Sequence, residues 1–359
     1  MKFAKIPHIE SVWDNVIIKT LSPSTFLWVS RGCGYQVLLQ KALDTFNNSI
    51  LTLPSNRNAI LGTIIHKLYE LTQKGELHNV ADLKGKWEEL VLAEKIKLAN
   101  NYPTLRNASI NDYDKRNSAI RYALCLLKKP NKKTLEEGVK IYSEKWLDCS
   151  KLGLKGVADK LVIEDEYIDI IDFKSGHVKD ENGEIKTEYQ IQLQLYAVMC
   201  QHLSLGNPRS LYLVDIEGDY FEVPFSPDFS KQLIDEVRST LEMLNGTILN
   251  RNFQTLVKPD LGLCSCCSCR HICKYRNILP DSYYQTITGR VVEIPSTNLY
   301  VLQNCEYTIY VSGLDVYQVE SPQEYIGRTL VFVNITRASQ LADDFTYKIT
   351  ENTLVYEQL

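Results

Sequence analysis

Apolar residues recur at helical spacing through LSPSTFLWVSRGCGYQVLLQKAL, residues 21–43, and a Ser-Pro start signal opens the run. RNAILGTIIHKLYELTQKG, residues 57–75, reads as a second helix stopped by Gly75. Two further helical stretches are expected near 82–99 and 111–128, the latter ending at KKPNKK. From about residue 138 the period changes. VKIYSEKWLD, LKGVADKLVIED and EYIDIIDFKSG are rich in β-branched and aromatic residues and predict three strands. Residues 186–203 predict a helix, 209–225 a hairpin, and 226–246 a capped helix. Beyond Pro280 the chain becomes short alternating strands. About 75 residues of that kind predict a small barrel of the OB type or a compact sandwich. Three regions follow: 1–135 mainly helical, 136–280 an α/β core ending in a cysteine cluster, and 281–359 all-β.

Composition adds a soluble-protein expectation. The 359 residues are 44% hydrophobic and 23% charged, enough for a real core. No run approaches the roughly 18 apolar residues that span a bilayer. The first residues, MKFAKIPHIESVWDNVIIK, hold no continuous apolar stretch, so the expected location is cytoplasmic and no membrane is an expected partner. Net charge is −4 but unevenly spread. Residues 281–359 carry four Lys/Arg against ten Asp/Glu, a net of −6, leaving 36 basic and 34 acidic residues in the rest. An anionic substrate should therefore meet the first 280 residues.

The middle strands carry candidate chemistry. A hairpin turning on Asp165-Glu166 pairs Glu164 with Tyr167, Ile163 with Ile168, and in continuation Asp159 with Asp172. Opposed residues on one face lie about 5 Å apart at Cβ, so the two carboxylates repel unless a cation sits between them. Lys174, two residues beyond Asp172, projects from the same face. Two carboxylates and an ammonium suit a hard divalent cation and a phosphate transition state. A solvated hairpin face with surface charges accounts for the same spacing. A second cluster lies in LCSCCSCRHICKY, where five of the ten cysteines fall within residues 264–273. A long chain without a secretory signal favours metal binding over disulfides there. Four thiolates suit either an iron–sulfur cluster or structural zinc, and spacing alone leaves both open.

The order GVADK…IIDFKSG resembles the Asp…Asp-x-Lys core of the PD-(D/E)XK nucleases, and more narrowly their RecB/Cas4-like exonuclease branch. Upstream, GTIIHKLYE supplies Gly62, His66 and Glu70; downstream, QLQLY supplies Gln192 and Tyr196. The resemblance covers roughly residues 22–276. It implies a restriction-endonuclease-like core, a central mixed sheet flanked by helices. It implies Mg2+ or Mn2+ held by His66, Asp159, Asp172 and the carbonyl of Phe173. Lys174 would orient or deprotonate water or offset transition-state charge, and Gln192 and Tyr196 would contact the phosphate or steady the lysine. Glu144 matches an acidic position often found before the core hairpin. The same branch implies a 4Fe-4S cluster held by Cys33, Cys264, Cys267 and Cys273, with structural zinc as the alternative. Gly34 follows Cys33 where the family often has proline. Cys266 and Cys269 are surplus, and Cys125, Cys149, Cys200 and Cys305 are expected as core thiols.

The implied activity is metal-dependent hydrolysis of DNA, by an exonuclease or end-trimming enzyme favouring single strands, in a repair, recombination or anti-phage complex. The alternative is a non-catalytic binding or assembly module of a helicase–nuclease complex. Tyr300, Tyr307, Tyr310, Tyr317 and Phe332 could stack bases, but a net of −6 disfavours phosphate. A protein partner such as a helicase is therefore expected at the C-terminal region.

Overall fold

A computed structural model describes residues 2–105, 108–128, 138–276, 285–304, 307–317, 319–338 and 345–359. Its strands are β1 (Ala4–Ile6), β2 (Val139–Cys149), β3 (Leu154–Glu164), β4 (Tyr167–Phe173), β5 (Asn207–Val214) and β6 (Tyr220–Val223), then β7 (Gln285–Ser296), β8 (Leu299–Gln303), β9 (Thr308–Ser312), β10 (Thr329–Arg337), β11 (Thr346–Lys348) and β12 (Leu354–Gln358). Its helices are α1 (Pro23–Ser30), α2 (Gly34–Asp44), α3 (Arg57–Gln73), α4 (Val80–Asn101), α5 (Tyr113–Lys128), α6 (Thr187–His202), α7 (Pro227–Asn250) and α8 (Leu261–Ser265).

The central sheet runs β2-β3-β4-β5-β6, with β4 and β5 parallel and the other neighbours antiparallel. A parallel pair needs a crossover, and α6 provides it. Both faces are covered because side chains alternate along each strand. Leu161 and Ile163 of β3 join one core with α1, α2, α6 and α7, whereas Val162 joins the other with α3, α4 and α5. Each fully buried Leu or Ile contributes roughly 1.5–3 kcal/mol.

The single helix expected over 21–43 is two helices. Ser22 caps α1 by accepting the Thr25 N–H, but the helix ends at Arg31. A Cβ at Gly32 would lie 2.7 Å from the Trp28 ring, so the chain folds back where only glycine fits. Cys33 is then extended (φ −108°, ψ 103°) and precedes the first turn of α2, which places Gly34 where proline is also favoured. Of the expected core thiols, Cys149 and Cys200 are buried, and Cys125 is exposed instead. It lies two residues past buried Ala123, on the outward side of α5. Cys305 lies outside the described residues.

The second sheet closes on itself. Strands β7, β8, β9, β11 and β10 form a ring through the β10–β7 pairing, and β9 and β11 run parallel. Strand β12 adds to β10, and β1 adds to β12 in parallel. This sheet is thus not built from 281–359 alone, since residues 4–6 complete it. Ile6, Leu53 and Tyr102 pack with Val331, Val333 and Tyr356 at its contact with the core.

Candidate active site

Helix α3 starts where the Asn56 side chain accepts the Ala59 N–H, 2.9 Å away. It passes close to the end of β4, where a Cβ on Gly62 would sit 3.2 Å from Ser175 Oγ. One turn later His66 reaches the sheet end. Its Nε2 lies 3.0 Å from the Phe173 carbonyl oxygen. Its Nδ1 lies 3.4 Å from Asp159 Oδ1 and 4.0 Å from Glu144 Oε1. Burial alone would lower the imidazole pKa, but Asp159, Asp172 and Glu144 outweigh it and hold His66 up at about 9. A protonated ring at this position must lose a proton to ligate a cation.

The β3–β4 register follows Glu164–Tyr167 and Ile163–Ile168, as the sequence predicts, through Lys160–Ile171. At the next level Asp159 Oδ2 accepts the Phe173 N–H at 2.7 Å. The carboxylate thus takes over the ladder's work and is fixed by it. Glu144 sits between the Ser143–Lys160 and Lys145–Ala158 pairs of the β2–β3 ladder, level with Asp159. Its backbone is left-handed (φ 52°), a sparsely populated state for a non-glycine residue and a mark of local strain. Burial, then Asp159, raise the Glu144 pKa.

Asp172 is 3% exposed. Its Oδ2 lies 2.5 Å from Lys174 Nζ, an ion-pair contact, yet no hydrogen bond of good geometry reaches that oxygen. Lys174 Nζ donates to Gln192 Oε1 at 2.7 Å and lies 4.5 Å above the Tyr189 ring. Burial pulls the lysine pKa down, but Asp172 dominates in combination with Asp159 and leaves it raised. Burial, opposed by Lys174 and aided by Asp159, pushes the Asp172 carboxyl up. Tyr196 is buried, and its ring lies 3.4 Å from where a Cβ on Gly156 would be. Tyr189 escaped the sequence reading, although it lies on the Gln192 face of α6 at i−3.

The ligand atoms of His66, Glu144 and Asp159 all lie within 4.8 Å of one another, the single such group of three among the described residues. Asp172 faces the lysine beside them. The Phe173 carbonyl faces the His66 ring. Glu70 is engaged elsewhere, by Lys67 at 2.7 Å and Lys74 at 2.5 Å. One imidazole and the carboxylate oxygens of Glu144 and Asp159, with Asp172 beside them, form a hard donor set that fits Mg2+ or Mn2+.

The cysteines form a separate place. Cys33, Cys264, Cys267 and Cys273 line one cavity, with Tyr35, Arg270 and Arg276 among its walls. Cys266 and Cys269 do not line it. Cys266 is exposed and points its thiol at the Gly262 carbonyl, and Cys269 is buried against Ser268. Burial pushes the Cys264, Cys267 and Cys273 thiols up, so a bound cation is needed to keep them as thiolates. No helix among the described residues is long and apolar enough to cross a membrane.

A family model for the PD-(D/E)XK nuclease superfamily matches residues 20–274. That span holds the candidate metal ligands and all four cavity cysteines, and it ends before Arg276 and the closed β-ring. No curated protein matches the chain.

Proposed function

The chain belongs to the PD-(D/E)XK nuclease superfamily, and from that premise we propose that it is a Mg2+- or Mn2+-dependent deoxyribonuclease of the RecB/Cas4-like branch. Its proposed substrate is single-stranded DNA or DNA ends, with a 5′-phosphate product. The observation that carries the reading is the convergence of His66, Glu144 and Asp159 beside the Asp172–Lys174–Gln192 chain. His66, Asp159 and Asp172 would hold the cation, with Glu144 as a further carboxylate and the Phe173 carbonyl at the same sheet end. When bound, the cation supplies Lewis-acid polarisation of the phosphoryl group and a water of lowered pKa.

The chain's own groups do the positioning. Phe173 fixes Asp159 through its N–H and His66 through its carbonyl. Asp172 and Gln192 hold the Lys174 ammonium at one point, and the Tyr189 face steadies it. Held by Asp172 and Gln192, the ammonium is placed for charge offset and orientation of the nucleophile. Gln192 and Tyr196 on α6 keep that ammonium aimed at the phosphate.

The cysteine cavity would hold a 4Fe-4S cluster. Four thiols around one cavity suit such a cluster, with structural zinc as the alternative. The ring order β7-β8-β9-β11-β10, closing on β7, supports an OB-like barrel beyond residue 280, with β1 added outside the ring. Its acidity supports docking of a protein such as a helicase in the cytoplasm rather than capture of DNA.

The test is cleavage of 5′-labelled single-stranded DNA, blunt duplex and matched RNA by anaerobically purified protein. Each is run with Mg2+, Mn2+ or chelator. Metal-dependent cleavage of the DNA is expected, fastest on single strands or ends. No cleavage of any substrate by iron-replete protein would leave a non-catalytic assembly module as the better reading.

A further inference from the structure

Two arginines stand on the wall of the cysteine cavity, and neither belongs to the four-cysteine set. Each is anchored on both sides. Arg270 donates to the Cys267 carbonyl at 3.0 Å and to Asn334 Oδ1 of β10 at 2.5 Å. Arg276 donates to the His271 carbonyl at 2.6 Å and to Thr288 Oγ1 of β7. Asn334 has a left-handed backbone (φ 60°) at a register shift between Val333 and Ile335. Such a bulge re-aims one side chain out of the ladder, here toward Arg270. The Nε of Arg276 is buried and has no hydrogen-bond partner.

An unpartnered buried N–H on a wall shared with thiols lacks an acceptor that a thiolate would provide. The charges are placed for it. Arg276 acts electrostatically on Cys273, and Arg270 on Cys267, Cys266 and Cys264. Four thiolates gathered in a half-closed cavity repel one another and resist ionisation. A guanidinium stays charged under all ordinary conditions, so it offsets that repulsion without itself titrating.

We propose that Arg270 and Arg276 are positioning residues of the cysteine site, facing its thiolates and gripping the β-ring through Asn334 and Thr288, so that filling the site and seating the ring are coupled. The proposal rests on the reading that these cysteines hold a metal cofactor. Coupling of this kind is reciprocal: whatever weakens the grip on the ring must also weaken the hold on the metal. The barrel-side partners Thr288 and Asn334 are not among the residues lining the cavity, so they test it cleanly.

The experiment uses full-length protein purified without oxygen as wild type, Thr288→Val, Asn334→Ala, Arg270→Met, Arg276→Met and Arg276→Lys. The readouts are iron per chain, the rate of iron loss to an external chelator, and amide hydrogen exchange in β7 and β10. Arginine-to-methionine changes should speed iron loss by about 10–100-fold, the usual effect of removing a group that orients metal ligands. Thr288→Val and Asn334→Ala should shift the rate in the same direction, and Arg276→Lys should restore it only in part. Exchange in β7 and β10 should rise in every variant and in wild type stripped of metal. Wild-type protein that holds iron, with Thr288→Val and Asn334→Ala releasing it at the wild-type rate, would overturn the coupling while leaving the cofactor reading intact. Wild-type protein that neither carries nor takes up metal would overturn the cofactor reading and this inference with it.

Discussion

The Asp172–Lys174 pair yields a quantitative prediction about stability. Its charged atoms are 2.5 Å apart, and at an effective dielectric of about 20 they attract by roughly 7 kcal/mol. Removing both ions from water costs several kcal/mol each, so the pair as a whole is close to neutral for folding. Breaking it is different. Lys174→Met strands a carboxyl that is 3% exposed, and Asp172→Asn strands an ammonium whose remaining contacts are Gln192 and the Tyr189 ring. Either single change should destabilise by about 3–5 kcal/mol. The double variant Asp172→Asn/Lys174→Met should cost no more than the larger single change, because it removes the stranded charge as well as the attraction. Urea denaturation of the four proteins gives the cycle directly, provided the denaturant slopes agree. Strictly additive single effects, or single effects below about 1 kcal/mol, would refute the reasoning.

The other predictions concern supporting residues. Tyr189→Leu removes the ring beneath Lys174 and should lower the cleavage rate with little change in substrate KM, because a cation–π contact of about 1–2 kcal/mol no longer holds the ammonium. Cys266→Ser should retain wild-type iron content and stability within about 0.5 kcal/mol, whereas Cys264→Ser should lose the cluster, as read by absorbance and iron analysis. Gly32→Ala drives a methyl group into Trp28 and should cost about 1–3 kcal/mol by thermal unfolding, with loosened metal because Cys33 follows directly.

Much of this was legible because it is local. The β3–β4 register follows from one polar break at Asp165-Glu166 and strict alternation, and slipping it by a residue would turn Leu161 and Ile163 out of their core. The helices of the core follow from apolar spacing and Ser, Asn or Pro start signals. What escaped the sequence depends on packing between distant segments. The break at Gly32 is invisible to a periodic pattern that continues across it; only the Trp28 ring forbids a side chain there. Strand β1 is three residues long and finds its partner β12 some 350 residues later, with nothing in AKI to announce it. The partners of the two carboxylates also escaped the spacing: the Phe173 N–H for Asp159 and Lys174 for Asp172. Tyr189 matters through the position of Lys174, which no spacing rule encodes.

The central claim is that the His66–Glu144–Asp159 cluster and the Lys174 ammonium form one hydrolytic centre. The most direct test is single-turnover cleavage of a 5′-labelled single strand in Mg2+ or Mn2+ by wild type, Asp172→Ala and Lys174→Ala. All three are confirmed to be folded and iron-replete beforehand. The account predicts metal-dependent cleavage by wild type and a loss of at least about 10²–10³-fold in both variants, the usual effect of removing one charge-stabilising group from a transition state. Cleavage by both variants at the wild-type rate would contradict it.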